Sequence, residues 1–211
     1  MLKKLIVCAL LIAPSSYGAP ARGPLKLSDL RDGDVIFQTS LSSQSPAIQI
    51  ATLSRISHVG IIHHVNGKPR VLEAIGRVSS TPLKKWINRG SGGKFVVKRI
   101  RNADLILTKK TLRDMFKYGL KQKGKRYDLK FMWSDSKMYC SELVWKIYEN
   151  GAGITLSKPG ALGDYTWATI LPPIKKMAQK RYGGKLPVWE KVVTPADLYA
   201  SRMLQTVYAN Y

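Results

Sequence analysis

The sequence predicts one domain in which strands and amphipathic helices are mixed, and three observations carry that expectation. Asn66-Gly67, the strongest two-residue hairpin signal, separates two strand-like runs. Two stretches, Thr111 to Gln122 and the residues that follow Cys140, space their apolar side chains as a helix does. No internal repeat, low-complexity tract or linker divides the chain, and its 211 residues suffice for one substantial core.

At the N-terminus, Met1-Leu2-Lys3-Lys4 leads into an apolar run from Leu5 to Ala13, followed by small and turn-forming residues from Pro14 to Ala19. That order predicts a secretory signal peptide over residues 1–18, leaving 19–211 as the mature domain in the periplasm or outside the cell. Cleavage after Gly18 leaves small residues, Ser16 and Gly18, at the two positions that matter, whereas cleavage after Ala19 would put Pro20 first. The apolar run falls short of the roughly 20 residues that a permanent membrane anchor needs. Cys8 lacks small residues before it and is not read as a lipidation site. Losing the leader reduces the cysteines from two to one, Cys140. A single cysteine in an oxidising compartment is either a buried small hydrophobe or a reactive thiol.

The chain carries 35 Lys+Arg against 13 Asp+Glu, a formal charge of +22 that becomes +20 without Lys3 and Lys4. Such an excess favours anionic partners, among them a phospholipid or lipopolysaccharide membrane surface or a wall polymer. No helix-turn-helix, zinc-finger or RNP-type pattern accompanies it, so nucleic acid is not expected. The clusters from Lys121 to Lys130 and from Lys175 to Lys185 read most economically as solvated faces.

Within the mature domain, the turn Arg31-Asp32-Gly33-Asp34 precedes a short strand, Val35-Ile36-Phe37-Gln38. Ser45-Pro46 reads as an N-cap with proline at the first helical position, opening a helix to about Leu53. Ser57 to Val65 is a strand, and Lys68 to Ile75 returns across the Asn66-Gly67 turn. If the loop has two residues, Val65 faces Lys68 and Glu73 falls opposite Gly60. His58 and Glu73 then share a face as diagonal neighbours, roughly 7–8 Å apart at their backbones. Lys94 to Arg101 is a further strand, and Thr108 or Thr111 caps the helix that Gly124 stops. The helix after Cys140 buries Leu143, Val144 and Ile147, with Gly151 as its stop. Lys158 to Val193 reads as long loops with a short helix near Ile174 to Arg181, and Thr194-Pro195-Ala196-Asp197 opens a last helix.

These elements supply the parts of thiol catalysis. Cys140 in a first helical turn sits at the positive end of the helix dipole, which favours the thiolate. His58 is the candidate base, Glu73 the acid that orients it, and N–H groups at the helix start are candidate oxyanion donors. His63 falls on the other face of its strand, and His64 lies roughly 20 Å further along. Asp135 and Glu142 read as charges near a helix N-terminus, and Glu142 opposes thiolate formation unless it points away. Trp133, Trp145, Trp167 and Trp189 read as core or groove wall. No paired spacing of Cys140 with the histidines suggests a zinc site, and no cofactor is expected.

Ser57-His58-Val59-Gly60-Ile61, Glu73 and Tyr139-Cys140-Ser141-Glu142-Leu143-Val144 together resemble the YiiX/YaeF-type permuted papain-like family, relatives of the NlpC/P60 hydrolases. Gly33-Asp34-Val35-Ile36-Phe37, Gly124-Lys125-Arg126-Tyr127-Asp128 and Thr194-Pro195-Ala196-Asp197-Leu198 extend the resemblance over nearly all the mature chain. It implies an α+β fold of circularly permuted papain-like type, with an antiparallel sheet packed on the helix that carries the cysteine. It also implies a cysteine amidase or peptidase that cleaves an amide or related acyl bond in a peptide, cell-wall fragment or lipid. Tyr127 and Tyr139 are then candidate substrate-binding or oxyanion-assisting residues, set against ordinary core packing. Two alternatives stand beside this: acyl transfer of the lecithin:retinol acyltransferase-like type, and a non-catalytic basic module that binds the envelope surface.

Overall fold

The computed structural model describes residues 26–211; the segment 1–18 read as a signal peptide, including Cys8, lies outside the described residues. After a short 3-10 turn at Leu27–Asp29 come β1 (Val35–Gln38), α1 (Ser45–Thr52), β2 (His58–Val65), β3 (Lys68–Ile75) and β4 (Arg77–Pro82). They are followed by α2 (Leu83–Asn88), β5 (Val96–Ile100), α3 (Ala103–Ile106), α4 (Lys109–Lys121) and α5 (Cys140–Ala152). Beyond these lie β6 (Gly160–Ala161), a 3-10 segment (Leu162–Ile170), α6 (Pro172–Tyr182), β7 (Lys191–Val192), α7 (Pro195–Tyr199) and β8 (Leu204–Ala209). Six strands form one sheet in the order β4-β3-β2-β1-β5-β8, every neighbouring pair antiparallel. β6 and β7 pair separately. The architecture is the α+β class the resemblance implies.

The β2–β3 hairpin closes as its sequence predicts. Asn66 and Gly67 take φ of +52° and +71°, the left-handed pair that a two-residue type I′ turn demands. Val65 pairs with Lys68 and Ile61 with Leu72, so the register fixed at the turn reaches the far end of the strands. Both faces of this sheet are covered, which is why its central strands are apolar at almost every position. Phe37, Val59, Ile61, Leu72 and Ala74 face one cluster with Leu143, Val144 and Ile147 of α5. Ile36, Ile62, Val71 and Val97 face another, built on Leu83 and Trp86 of α2.

α4 braces α5. Thr108 caps α4, its hydroxyl oxygen accepting from Thr111 N–H, which settles the choice between the two threonines. Gly119 and Gly151 are the contact points between the helices and their surroundings. A Cβ on Gly119 would stand 2.7 Å from Leu72 Cδ2, and one on Gly151 would stand 2.3 Å from Met115 Cα. Gly151 is therefore a close-packing residue inside α5 and not its stop. The stop is Gly153, in the left-handed conformation at φ +68°.

Three further expectations are corrected. Ser45 is the first residue of α1 and not its cap; its hydroxyl bonds that of Ser57 at 2.6 Å and accepts from Gln49 Nε2 at 3.0 Å. Of the stretch Lys158 to Val193, the helix expected near Ile174 to Arg181 is present as α6, but the part read as loop before it holds a 3-10 segment, and both pack on α1 around Ala47, Ala168 and Ile174. β4, α2 and β8 were not anticipated. β4 and β8 are edge strands with a polar outward side, and β4 ends in proline, so neither carries the apolar alternation of a buried strand.

Candidate active site

His58 is the first residue of β2, and Glu73 stands near the end of β3, where the hairpin register brings the two together. His58 Nε2 lies 2.6 Å from Glu73 Oε2. Glu73 has no solvent exposure, and a bare carboxylate there would be costly. It is held by three partners. Thr81 donates its hydroxyl to Oε1 at 2.6 Å, and Arg89 Nη2 donates to Oε1 at 2.8 Å and to Oε2 at 2.6 Å. Burial would raise the carboxyl's pKa, but His58, Arg89 and Thr81 outweigh it and hold the group down to about 2. Trp86 stacks on the His58 ring at 5.8 Å and fixes its plane from the α2 side.

Cys140 opens α5, and the helix brings it to the same end of the sheet. Burial would push the thiol up, but hydrogen bonds from His58, from the Val59 N–H and from the Tyr127 hydroxyl, together with the His58 charge, lower it below its ordinary value. The opposite holds for the imidazole. Burial would lower His58, but its bonds to Cys140 and Glu73 push it up to about 9. Because Nε2 is taken by Glu73, Nδ1 is the ring atom left for the thiol. The two shifts run in the direction of a thiolate–imidazolium pair, the thiol lowered and the imidazole raised.

Glu142 does point away from the thiol. Its Oε2 accepts from the Tyr139 N–H at 3.2 Å, and Lys146 Nζ lies 2.8 Å from its Oε1. Asp135 pairs with the same lysine at 2.9 Å. Burial raises Glu142 to about 7 despite the lysine, so this carboxylate serves as a buried cap for α5.

The two tyrosines part company. Tyr127 is at the thiol, and its hydroxyl oxygen accepts from Gln44 Nε2 at 3.1 Å. Tyr139 lines the apolar cleft beside Cys140, but its hydroxyl is engaged elsewhere: the Val193 N–H donates to it at 3.3 Å, and its ring meets Phe131 edge-on at 5.4 Å. His63 Nε2 lies 2.9 Å from Ser80 Oγ and His64 Nδ1 lies 2.7 Å from Asp32 Oδ1, so both are engaged elsewhere. Trp145 is buried against Trp133, but Trp167 and Trp189 are exposed, contrary to their reading as wall residues.

Two clefts meet at Tyr127. One is almost wholly apolar and includes Cys140, Ile48, Phe131, Met177 and Val192 in its lining. The other, the more polar of the two, includes His58, Ser40, Gln44, Arg77, Arg126 and Arg181. Sequence reasoning missed Thr81, Arg89, Gln44 and Arg181. Thr81 and Arg89 belong to β4 and the end of α2, elements with no clear signal, and Gln44 and Arg181 come from segments far apart in the chain. No local pattern marks any of them.

An antiparallel sheet carrying histidine and acid, packed on a helix that begins with cysteine, defines a papain-like protein. Residues 29–208 match the family described as permuted papain-like amidase enzyme, YaeF/YiiX, and the chain belongs to that family. It is 41% identical over 175 residues to an uncharacterized protein, YiiX, of Escherichia coli (strain K12), spanning 83% of this chain and 84% of the relative. It also matches a crystal structure described as that of metalloprotein yiiX from Escherichia coli O157:H7. That match has a TM-score of 0.81 and 39% identity, and covers 87% of this chain and 99% of the other. A resident metal does not fit the residues present here: among the described residues, no three His, Cys, Asp or Glu side chains converge as ligands for one ion.

Glu73 has an ordinary pKa of 4.5 and a folded value of about 2, so its contribution to stability is present above pH 4.5 and lost as pH falls toward 2. Over that window His58 is protonated in both folded and unfolded chains, and the loss belongs to the carboxylate. Urea unfolding across this range is expected to show the wild type losing on the order of 3 kcal/mol more than Glu73→Gln. Parallel acid limbs in the two proteins would contradict the assignment.

Proposed function

We propose that this protein is a cysteine amidase whose nucleophile is Cys140, with His58 as acid and base and Glu73 as the orienting carboxylate. The observation that carries the reading is geometric: the buried Cys140 at the start of α5 meets His58, whose other ring nitrogen lies 2.6 Å from the buried Glu73, and the Val59 N–H and Tyr127 hydroxyl converge on the same thiol. A structural cysteine in an apolar site would titrate in the other direction. Family membership supports hydrolysis at the level of class.

The thiolate attacks the carbonyl carbon of an amide, forming the C–S bond and an oxyanion. N–H groups in the first turn of α5 and the Tyr127 hydroxyl are the donors proposed to take that charge. Collapse breaks the C–N bond, and the amine leaves with the proton of the His58 imidazolium. Neutral His58 then takes a proton from water as its oxygen adds to the thioester. Loss of the thiolate releases the carboxylic acid and restores the ion pair. Trp86 and Glu73 hold the ring in place throughout.

The apolar cleft beside Cys140 supports an apolar acyl group as the part retained on the enzyme, so a lipid amide or acylated peptide is favoured over a polar wall fragment. Transfer of the acyl group to an acceptor other than water uses the same residues and differs only in the second step. The non-catalytic binding reading leaves the donors gathered on Cys140 without a role.

With a medium-chain N-acyl amide as substrate, Cys140→Ala is expected to lower kcat by at least about a thousandfold with folding intact. Activity should persist below the ordinary thiol range and fall above about pH 9 as His58 loses its proton. Full activity in Cys140→Ala would end this reading. We also place the protein in the periplasm or outside the cell, on the N-terminal pattern of residues 1–18. N-terminal sequencing of the secreted or periplasmic form should begin at Ala19, and an intact Met1 would contradict export by this leader.

A further inference from the structure

The polar cleft on the other side of Tyr127 carries more positive charge than the chemistry above requires. Arg77, Arg126 and Arg181 line it together with His58. Arg77 and Arg126 lie on adjacent extended segments and face each other across an antiparallel bridge. Like charges set directly opposite are destabilising. Among the described residues, none of these three arginines has a carboxylate within ion-pair distance. Asp128, which Arg181 senses, is committed to the N–H groups of Lys130 and Met132 at 2.8 and 2.9 Å. Arg181 gives Nη2 to Gln44 Oε1 at 3.0 Å and rests on the Phe131 ring at 5.2 Å. Its Nη1 is buried and has no hydrogen-bond partner. A buried guanidinium N–H left open is costly, and an anion in the cleft would relieve it.

We infer that the Arg77–Arg126–Arg181 cleft is an anion subsite that takes one carboxylate or phosphate group on the leaving side of the substrate. The side follows from the order of proton transfer and so rests on the amidase reading. Cys140 lines the apolar cleft and His58 the polar one. The departing amine takes its proton from His58, so it lies on the arginine side, while the acyl chain lies beside the thiol. A substrate matching both clefts is an apolar acyl chain joined by an amide to a small anionic amine. The subsite also gives the general excess of positive charge a specific use near the site.

Calorimetry on Cys140→Ala, which removes turnover, tests the subsite without requiring catalysis. The probes are N-dodecanoylglycine, its neutral glycinamide counterpart and N-dodecanoylphosphoethanolamine. At least one of the two anionic probes is expected to bind about tenfold or more tighter than the neutral one, and the stronger of the pair identifies carboxylate or phosphate as the group recognised. Adding Arg77→Gln and Arg126→Gln, both exposed positions, should bring anionic and neutral probes to within about threefold. Equal affinities in Cys140→Ala, a preference that survives the arginine substitutions, or no binding of any probe would overturn the subsite. Hydrolysis by the wild type separates the two claims. Turnover without an anion preference removes the subsite and leaves the amidase. An anion preference in binding without turnover of any probe removes the amidase and leaves the subsite.

Discussion

One buried negative charge sets the state of the groups around it. Glu73 has no access to water, yet it is held ionised by His58, Arg89 and Thr81. An ionised carboxylate at 2.6 Å favours the imidazolium form of His58, and the imidazolium in turn favours the thiolate of Cys140. Each group is more buried than its charge would tolerate alone, and each is tolerable because of its neighbour. The fold's task is to hold three elements, β2, β3 and the start of α5, so that this chain of charges closes.

The hairpin does the first part with two residues. The left-handed pair Asn66-Gly67 sets a register whose parity reaches His58 and Glu73 several residues away. A slip of one residue would turn Glu73 to the face opposite His58. α5 does the second part, and it can approach the sheet because α4 packs against it through residues that lack side chains. At Gly119 and Gly151 the backbones are close enough that any Cβ would collide with Leu72, Ile147 or Met115. Packing at one end of α5 thereby positions the thiol at the other.

How much of this was legible in the sequence follows from how local each signal is. The hairpin, the Thr108-capped α4 and the start of α5 announce themselves through turn chemistry, capping and periodicity, and with them came Cys140, His58 and Glu73. Tyr127 and Tyr139 could not be told apart, because both line the cleft beside Cys140 and which hydroxyl reaches the thiol depends on their distant partners Gln44 and Val193. Arg89 and Thr81 stayed hidden because β4 is a polar edge strand ending in proline and α2 is a short helix. Neither has a pattern that distinguishes it from a loop. Gly151 was misread because a glycine late in a helix commonly marks its end, whereas here it marks contact with Met115. The helix near Ile174 to Arg181 was legible, but the 3-10 segment over Leu162 to Ile170 packs on α1, a long-range partner that no window of sequence contains.

The division of the site into an apolar and a cationic cleft, with Tyr127 between them, follows from the same economy. Cys140 lines the apolar cleft and His58 the other, so under the amidase proposal the acyl group and the departing amine have separate places. The central claim is that Cys140 rests as a thiolate because Glu73 keeps His58 charged. It is tested most directly by the ultraviolet absorbance of the thiolate, titrated as the difference between the wild type and Cys140→Ala. The account predicts that absorbance persists well below the ordinary thiol range in the wild type, and shifts toward that range in both His58→Ala and Glu73→Gln. A thiol that titrates at its ordinary value in the wild type, or that is unmoved by either substitution, would contradict it.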